Sequence, residues 1–216
     1  MKTKELEIRN YAVELRAEAD NRIIRGLAIP VEARSLLLGD FYEVISTSAI
    51  TNELISKNDV KVYLDHDASQ GTFARSKYGK GSLDLTITER GLEFEFESPN
   101  TVFGNAILEG IKRGDYDEIS FAFVVGDQAW TDNGDGTYTR TILSFDFLDE
   151  ISILSQIAAY PQTNVATRSL ETFKEELRAQ EAEKEAEEAR KQETIKKLEE
   201  IMQDIDNSCD KYILNK

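Results

Sequence analysis

Ser82-Leu83-Asp84-Leu85-Thr86-Ile87-Thr88-Glu89-Arg90-Gly91-Leu92-Glu93-Phe94-Glu95-Phe96-Glu97 is the stretch that decides the fold class. Leu83, Leu85 and Ile87 alternate with polar residues, and so do Leu92, Phe94 and Phe96. A period of two gives each strand one apolar face. Glu89-Arg90-Gly91 interrupts the alternation and makes the hairpin turn. Two strands cannot hold alone in water, so other elements must cover that apolar face.

Short β-type runs lie on both sides. Upstream they are a first strand around Ile8 to Leu15, then Arg22 to Pro30, then Phe41 to Ile45, then Val60-Lys61-Val62-Tyr63-Leu64 running into the acidic turn Asp65-His66-Asp67. Pro30 ends its strand because it has no amide hydrogen for a ladder. Ser48 is placed to cap a short helix from Ala49 to Ser56. Residues 70–82 are polar and dotted with glycine, which reads as a loop or hairpin. Downstream, Val102, Phe103, Ala106, Ile107 and Ile111 recur at helical spacing within Thr101–Arg113, closed by Gly114. Ile119 to Val125 is again β, Asn133-Gly134-Asp135-Gly136 is a hairpin turn, and Thr137–Phe147 and Glu150–Leu154 are two further strands. Residues up to 168 thus form one mainly β (α+β) domain, a closed or nearly closed antiparallel barrel with a few helices.

Composition changes after Arg168. Residues 169–205 hold no Gly or Pro and are dominated by Glu, Lys, Ala, Gln and Arg, all strong helix formers. Leu170, Phe173 and Leu177 form one apolar cluster; Ile195, Leu198, Ile201, Met202 and Ile205 form another. Residues 178–192 between them offer only alanines. The expectation is a charged helical extension over 169–205, solvated or binding a partner, and a flexible tail over 206–216.

The net charge is −15 and the pI about 4.6. That balance opposes nucleic-acid binding, which needs Lys and Arg against phosphate, and opposes an anionic membrane surface. A single cysteine excludes a disulfide framework and a cysteine zinc site. No apolar run approaches membrane-spanning length and no signal-type segment opens the chain, so a soluble intracellular protein is expected.

His66 is the only histidine, and hence the only side chain whose unperturbed pKa suits proton shuttling near neutrality. Serine is a poor nucleophile until a base takes its proton, and the base needs a third group to fix its tautomer. Ser120 supplies a hydroxyl; Asp65, Asp67, Glu118 or Glu150 supplies a carboxylate. Spacing alone leaves plainer readings open: His66 as a turn residue, Ser120 at a strand start, Glu150 as a surface carboxylate. Without a second histidine or a cysteine cluster, Asp65-His66-Asp67 is a poor metal site; neither a metal nor a cofactor is expected.

An ordered string of segments changes the balance. Gly26-Leu27-Ala28-Ile29-Pro30, Gly39 to Ile45 with Ala49, and Leu64-Asp65-His66-Asp67 come first. Gly81-Ser82-Leu83, Glu89-Arg90-Gly91-Leu92, and Gly110 to Gly114 leading into Ile119-Ser120-Phe121-Ala122-Phe123 continue it. Leu148 to Leu154 and Ala159-Tyr160-Pro161 close it. In order and spacing, over roughly residues 8–168, this resembles the prohead (capsid maturation) proteases of tailed bacteriophages. The resemblance implies a serine endopeptidase with a fold similar to the herpesvirus assemblins, a β-barrel ringed by helices, with His66 as general base and Ser120 as nucleophile. The third member in assemblins is a histidine, which this chain cannot supply. Glu150 falls at the corresponding place, with Asp65 and Asp67 as fallbacks; Arg140 or a loop amide is a candidate oxyanion donor.

The same resemblance implies cleavage of the scaffolding segment of the major capsid protein, and of the protease itself, inside the assembling procapsid in the host cytoplasm. A homodimer is the expected active form, and the helical extension a docking segment for scaffold. The rival expectations are a non-catalytic assembly scaffold and an esterase-like hydrolase of small substrates.

Overall fold

A computed structural model describes residues 5–12, 14–18, 21–155 and 164–213; Ala159-Tyr160-Pro161 lies outside them. The chain divides into two compact units, Met1–Ala166 and Thr167–Lys216. The first holds ten strands among the described residues: β1 (Glu7–Ala12), β2 (Leu15–Ala17), β3 (Ile23–Pro30), β4 (Phe41–Ile45), β5 (Asp59–Leu64), β6 (Ala74–Lys77), β7 (Leu83–Thr88), β8 (Gly91–Glu97), β9 (Glu118–Asp132) and β10 (Tyr138–Leu154). Helices α1 (Asn52–Lys57) and α2 (Val102–Arg113) sit among them.

The strands make two open sheets. The larger runs β1-β9-β10-β5-β6, with β4 also on β10; the smaller runs β2-β3-β8-β7. The expected barrel is therefore corrected to a strand-rich α+β fold whose described residues form no closed barrel. Among the described residues no ladder joins the two sheets; the isolated bridge Ser76–Gly81 lies between β6 and the start of β7. The expected first strand is in fact two strands on different sheets: β1 pairs with β9, and β2 with β3.

Strand β10 is the longest and the most shared. The sequence suggested two strands here, because alternation fails between Ile142 and Glu150; the pairing with β9 shows register shifts across that span. Bulges absorb extra residues and bend a strand without ending it. Gly126 on β9 permits the irregularity, since a Cβ there would lie 2.5 Å from Ser144 Oγ. The first half of β10 pairs in parallel with β4, and the second half in parallel with β5. Parallel neighbours cannot be joined by a hairpin; residues 46–58 with α1 carry the chain from β4 to β5, and the chain returns to β10 only after the second sheet, α2 and β9. The expected mainly antiparallel arrangement thus includes two parallel pairings.

Local signals explain the rest. The β7–β8 hairpin pairs Leu83 with Phe96, Leu85 with Phe94 and Ile87 with Leu92. Thr101 caps α2, its hydroxyl accepting from the Gly104 amide at 3.1 Å, and Gly114 closes the helix in the left-handed region at φ 77°. Thr51, not Ser48, caps α1. Residues 74–77 within the expected loop form β6, an edge strand on β5. One apolar core joins both sheets and both helices through residues such as Ile29, Leu92, Phe94, Phe121, Ile151, Leu54 and Ile107.

Helix α3 (Asn164–Ile213) runs 50 residues, about 75 Å at 1.5 Å per residue. It takes in residues 206–213, which composition left to a tail. No helix among the described residues is long and apolar enough to cross a membrane.

Candidate active site

The site is built where β5 ends against the last turn of the β10 ladder. Leu64-Asp65-His66-Asp67 reverses direction, with the Asp67 amide donating to the Leu64 carbonyl at 2.9 Å. Asp65 and His66 both carry positive φ, 51° and 60°. Two successive left-handed residues match a type I′ turn, which normally selects Gly or Asn. Holding a histidine there costs on the order of 1 kcal/mol and is tolerated where the surroundings over-determine it. Three contacts do so. The Asp65 amide donates to the Ile153 carbonyl at 2.9 Å. The Asp65 carboxylate accepts from the Ser155 amide at 2.8 Å and hydroxyl at 2.6 Å. The His66 amide donates to Ser152 Oγ at 3.2 Å.

The turn swings the imidazole onto the sheet face that carries Glu150 and Ser152. His66 Nδ1 contacts Glu150 Oε1 directly, across 84 residues of sequence. Glu150 is 7% exposed, so it is not the surface carboxylate that composition alone allowed. A carboxylate on Nδ1 fixes the proton there and leaves Nε2 as the basic nitrogen. His66 Nε2 is itself buried and has no hydrogen-bond partner. Buried polar atoms without partners are uncommon; Asn10 Oδ1, on the strand next to Ser120, is another.

Register brings Ser120 to the same place. Ser152 is opposite Ser120 on β9, and Ser120 is opposite Asn10 on β1. Residues opposite one another share a sheet face, with strands about 4.8 Å apart. Ser120 therefore stands one strand from Ser152, and on the diagonal from Glu150, which is opposite Ala122. It is fully buried, and its hydroxyl donates to the Arg9 carbonyl at 3.1 Å rather than to the imidazole. His66, Glu150 and Ser120 thus share one face, with the base–carboxylate contact formed and the serine–base hydrogen bond not formed. Catalytic hydrogen bonds are commonly long or misdirected without substrate.

The fallback carboxylates are turned elsewhere. Asp65 serves Ser155, and Asp67 accepts from the Ser69 amide at 2.9 Å and Gln70 Nε2 at 3.0 Å; the Ser69 side chain, then Gln70 and the Ser69 amide, hold its carboxyl below the usual range. Asp149 points to Lys61 at 3.8 Å. Burial pushes its carboxyl above the ordinary value, and Lys61 only partly opposes that. Among the described residues no His, Cys, Asp and Glu group could hold a metal ion.

Arg140 is also corrected. Its guanidinium donates to Gln128 at 2.6 Å, to Glu7 at 2.7 and 2.9 Å and to Glu43 at 2.9 Å, so it is committed to a buried cluster and is not an oxyanion donor. Arg9 completes the cluster, donating to Glu43 at 2.7 and 2.9 Å and to Glu7 at 2.7 Å. Sequence reading missed this cluster and missed Ser152. A charge inside each apolar strand, Glu43 in Phe41–Ile45 and Arg9 in Glu7–Ala12, was the available signal.

The family model for caudovirus prohead serine proteases matches residues 8–176. The chain belongs to that family. Among solved structures, that of the bacteriophage T4 capsid assembly protease, gp21, aligns with a TM-score of 0.44 and 10% identity, covering 69% of this chain and 97% of that one. No curated protein matches the chain.

Proposed function

We propose that this prohead protease is a serine endopeptidase with Ser120 as nucleophile, His66 as general base and Glu150 as the group that orients and stabilises the imidazole. The observation that supports the assignment is the state of the lone histidine: Nδ1 is held by a buried carboxylate of the sheet face that also carries Ser120, while Nε2 is buried and unpartnered. In the working triad the Ser120 hydroxyl donates to Nε2 in place of the Arg9 carbonyl. Ser120 Oγ then attacks the scissile carbonyl carbon as its proton passes to Nε2, giving a tetrahedral intermediate. Its collapse breaks the C–N bond, Nε2 returns the proton to the leaving amine, and Ser120 is left acylated. Water deprotonated by the same nitrogen hydrolyses the ester. Glu150 accepts from Nδ1–H and stabilises the imidazolium.

The substrate read from family membership is the scaffolding segment of the major capsid protein, with self-cleavage as a second event, inside the procapsid in the host cell. Co-expression with the cognate capsid protein, with new N-termini mapped by mass spectrometry, tests this. Wild-type chain is expected to generate discrete capsid-protein and self-derived termini, and Ser120→Ala to abolish both while uncleaved shells still assemble. Cleavage that persists in Ser120→Ala refutes the nucleophile. Shells that fail to assemble while cleavage persists favour a scaffold role.

A further inference from the structure

Helix α3 carries a pattern that the protease reading does not use. Steps of four, three, four, three and four residues pick out Leu177, Glu181, Lys184, Glu188, Lys191 and Ile195. That is the 3.5-residue spacing of the contact seam of a coiled coil. Glu181 to Ile195 are exposed and Leu177 is half-buried. Farther along the seam Leu198 is 55% and Met202 65% exposed, as is Ile195 at 55%.

Four charged residues would spoil an ordinary apolar seam. Their order is nonetheless self-complementary when read backwards. Leu177 and Ile195, Glu181 and Lys191, and Lys184 and Glu188 are all placed symmetrically about position 186. We propose that α3 pairs antiparallel with α3 of a second copy of this chain, crossing at Ala186, because only that arrangement sets apolar against apolar at both ends and Glu against Lys at every layer between. The contact is isologous: each residue meets its complement on the other copy, and the relation holds in reverse. A parallel in-register pair would instead set Glu181 against Glu181 and Lys184 against Lys184, a like-charge clash at each layer. A helix of foreign sequence has no reason to mirror this order. Lys191 already pairs with Glu187 on its own helix at 2.7 Å, with both side chains about two-thirds exposed; such an exposed pair holds weakly and yields to a new partner. The cluster Leu198–Met202 extends the seam outward.

The test uses the full chain carrying Ser120→Ala, so that it stays whole, with sedimentation velocity across a concentration series. A reversible dimer is expected. Glu181→Lys should raise its dissociation constant about tenfold or more, by converting two attractive layers to repulsive ones. Adding Lys191→Glu to that variant should restore it. Restoration by a second charge change distinguishes pairing from damage to the helix. Polarity is read by cysteine pairs in a Cys209→Ser background: Leu177→Cys with Ile195→Cys should trap a disulfide dimer on mild oxidation, and either alone should not. A chain that stays monomeric at the highest soluble concentration, a swap that does not restore association, or cross-linking by Ile195→Cys alone overturns the proposal. These readouts do not depend on proteolysis, so they fail or succeed independently of the proposed activity.

Discussion

Glu43→Gln tests how the domain is held together beside its active site. Glu43 is completely buried and accepts three charge-assisted hydrogen bonds, from Arg9 at 2.7 and 2.9 Å and from Arg140 at 2.9 Å. With Glu7 the four groups are electrically neutral. Burial alone would lower the Arg9 pKa, but Glu43 and then Glu7 outweigh it and raise it above the ordinary value. The substitution leaves one uncompensated positive charge in a buried site. Removing one partner of a buried pair costs about 3–5 kcal/mol, and glutamine keeps one acceptor oxygen, so about 3 kcal/mol is expected. For a domain of this size that lowers the melting temperature by about 6–12 °C. Trp130 is the only tryptophan and lies 5.9 Å from the Arg140 guanidinium, so its fluorescence during denaturant unfolding reports on the cluster. Asp59→Asn, which disrupts the exposed Arg75 pair, serves as control and should leave the midpoint nearly unchanged. In a double-mutant cycle, Arg9→Met with Glu43→Leu restores neutrality and should lose clearly less than the sum of the singles. If Glu43→Gln lies within about 1 kcal/mol of the unaltered chain, or the cycle is additive, the cluster is not what braces β1 against β4 and β10.

Two further outcomes follow from the same geometry. Glu150→Gln should lower kcat by roughly 10³–10⁴ without changing the unfolding midpoint much, because it removes imidazolium stabilisation and the preference for the productive tautomer; near-normal turnover of a peptide spanning the mapped cleavage site would remove Glu150 from the mechanism. For acid stability, burial tends to raise the Glu7 pKa, but Arg140 and then Arg9 outweigh it and hold it below 4.5. A depressed carboxyl contributes stability that is fully present above its unfolded value and is lost as pH falls through the folded value. Stability should therefore decline below about pH 4.5 and decline less steeply in Glu7→Gln, read by Trp130 fluorescence; an unchanged slope would count against the assignment.

The hairpin at 83–97 and helix α2 were legible because each carries an unbroken period and its own terminators, Thr101 and Gly114 among them. Strand β10 was not, since its bulges break the alternation that would reveal one strand. Its parallel partners were not legible either, because short runs such as Phe41–Ile45 say nothing about which neighbour they choose. His66 stood out by being unique. Its link to Glu150 came only from family resemblance, because no local pattern connects residues 84 apart. Burial of Glu150 and of Ser120 depends on what the sheet face meets, and alternation cannot supply that.

The distances along the chain that join the site also have a consequence in time. His66 meets a carboxylate 84 residues later, and Ser120 donates to a carbonyl 111 residues earlier. The first closure depends on β10, the last strand of its sheet to leave the ribosome, where synthesis proceeds at about 5–20 residues per second; the second needs β1 and β9 alone. On the proposed mechanism, until Glu150 emerges a nascent chain has its base and its serine but nothing to orient the imidazole. The proposed activity therefore waits on β10, a delay written into the order of the strands.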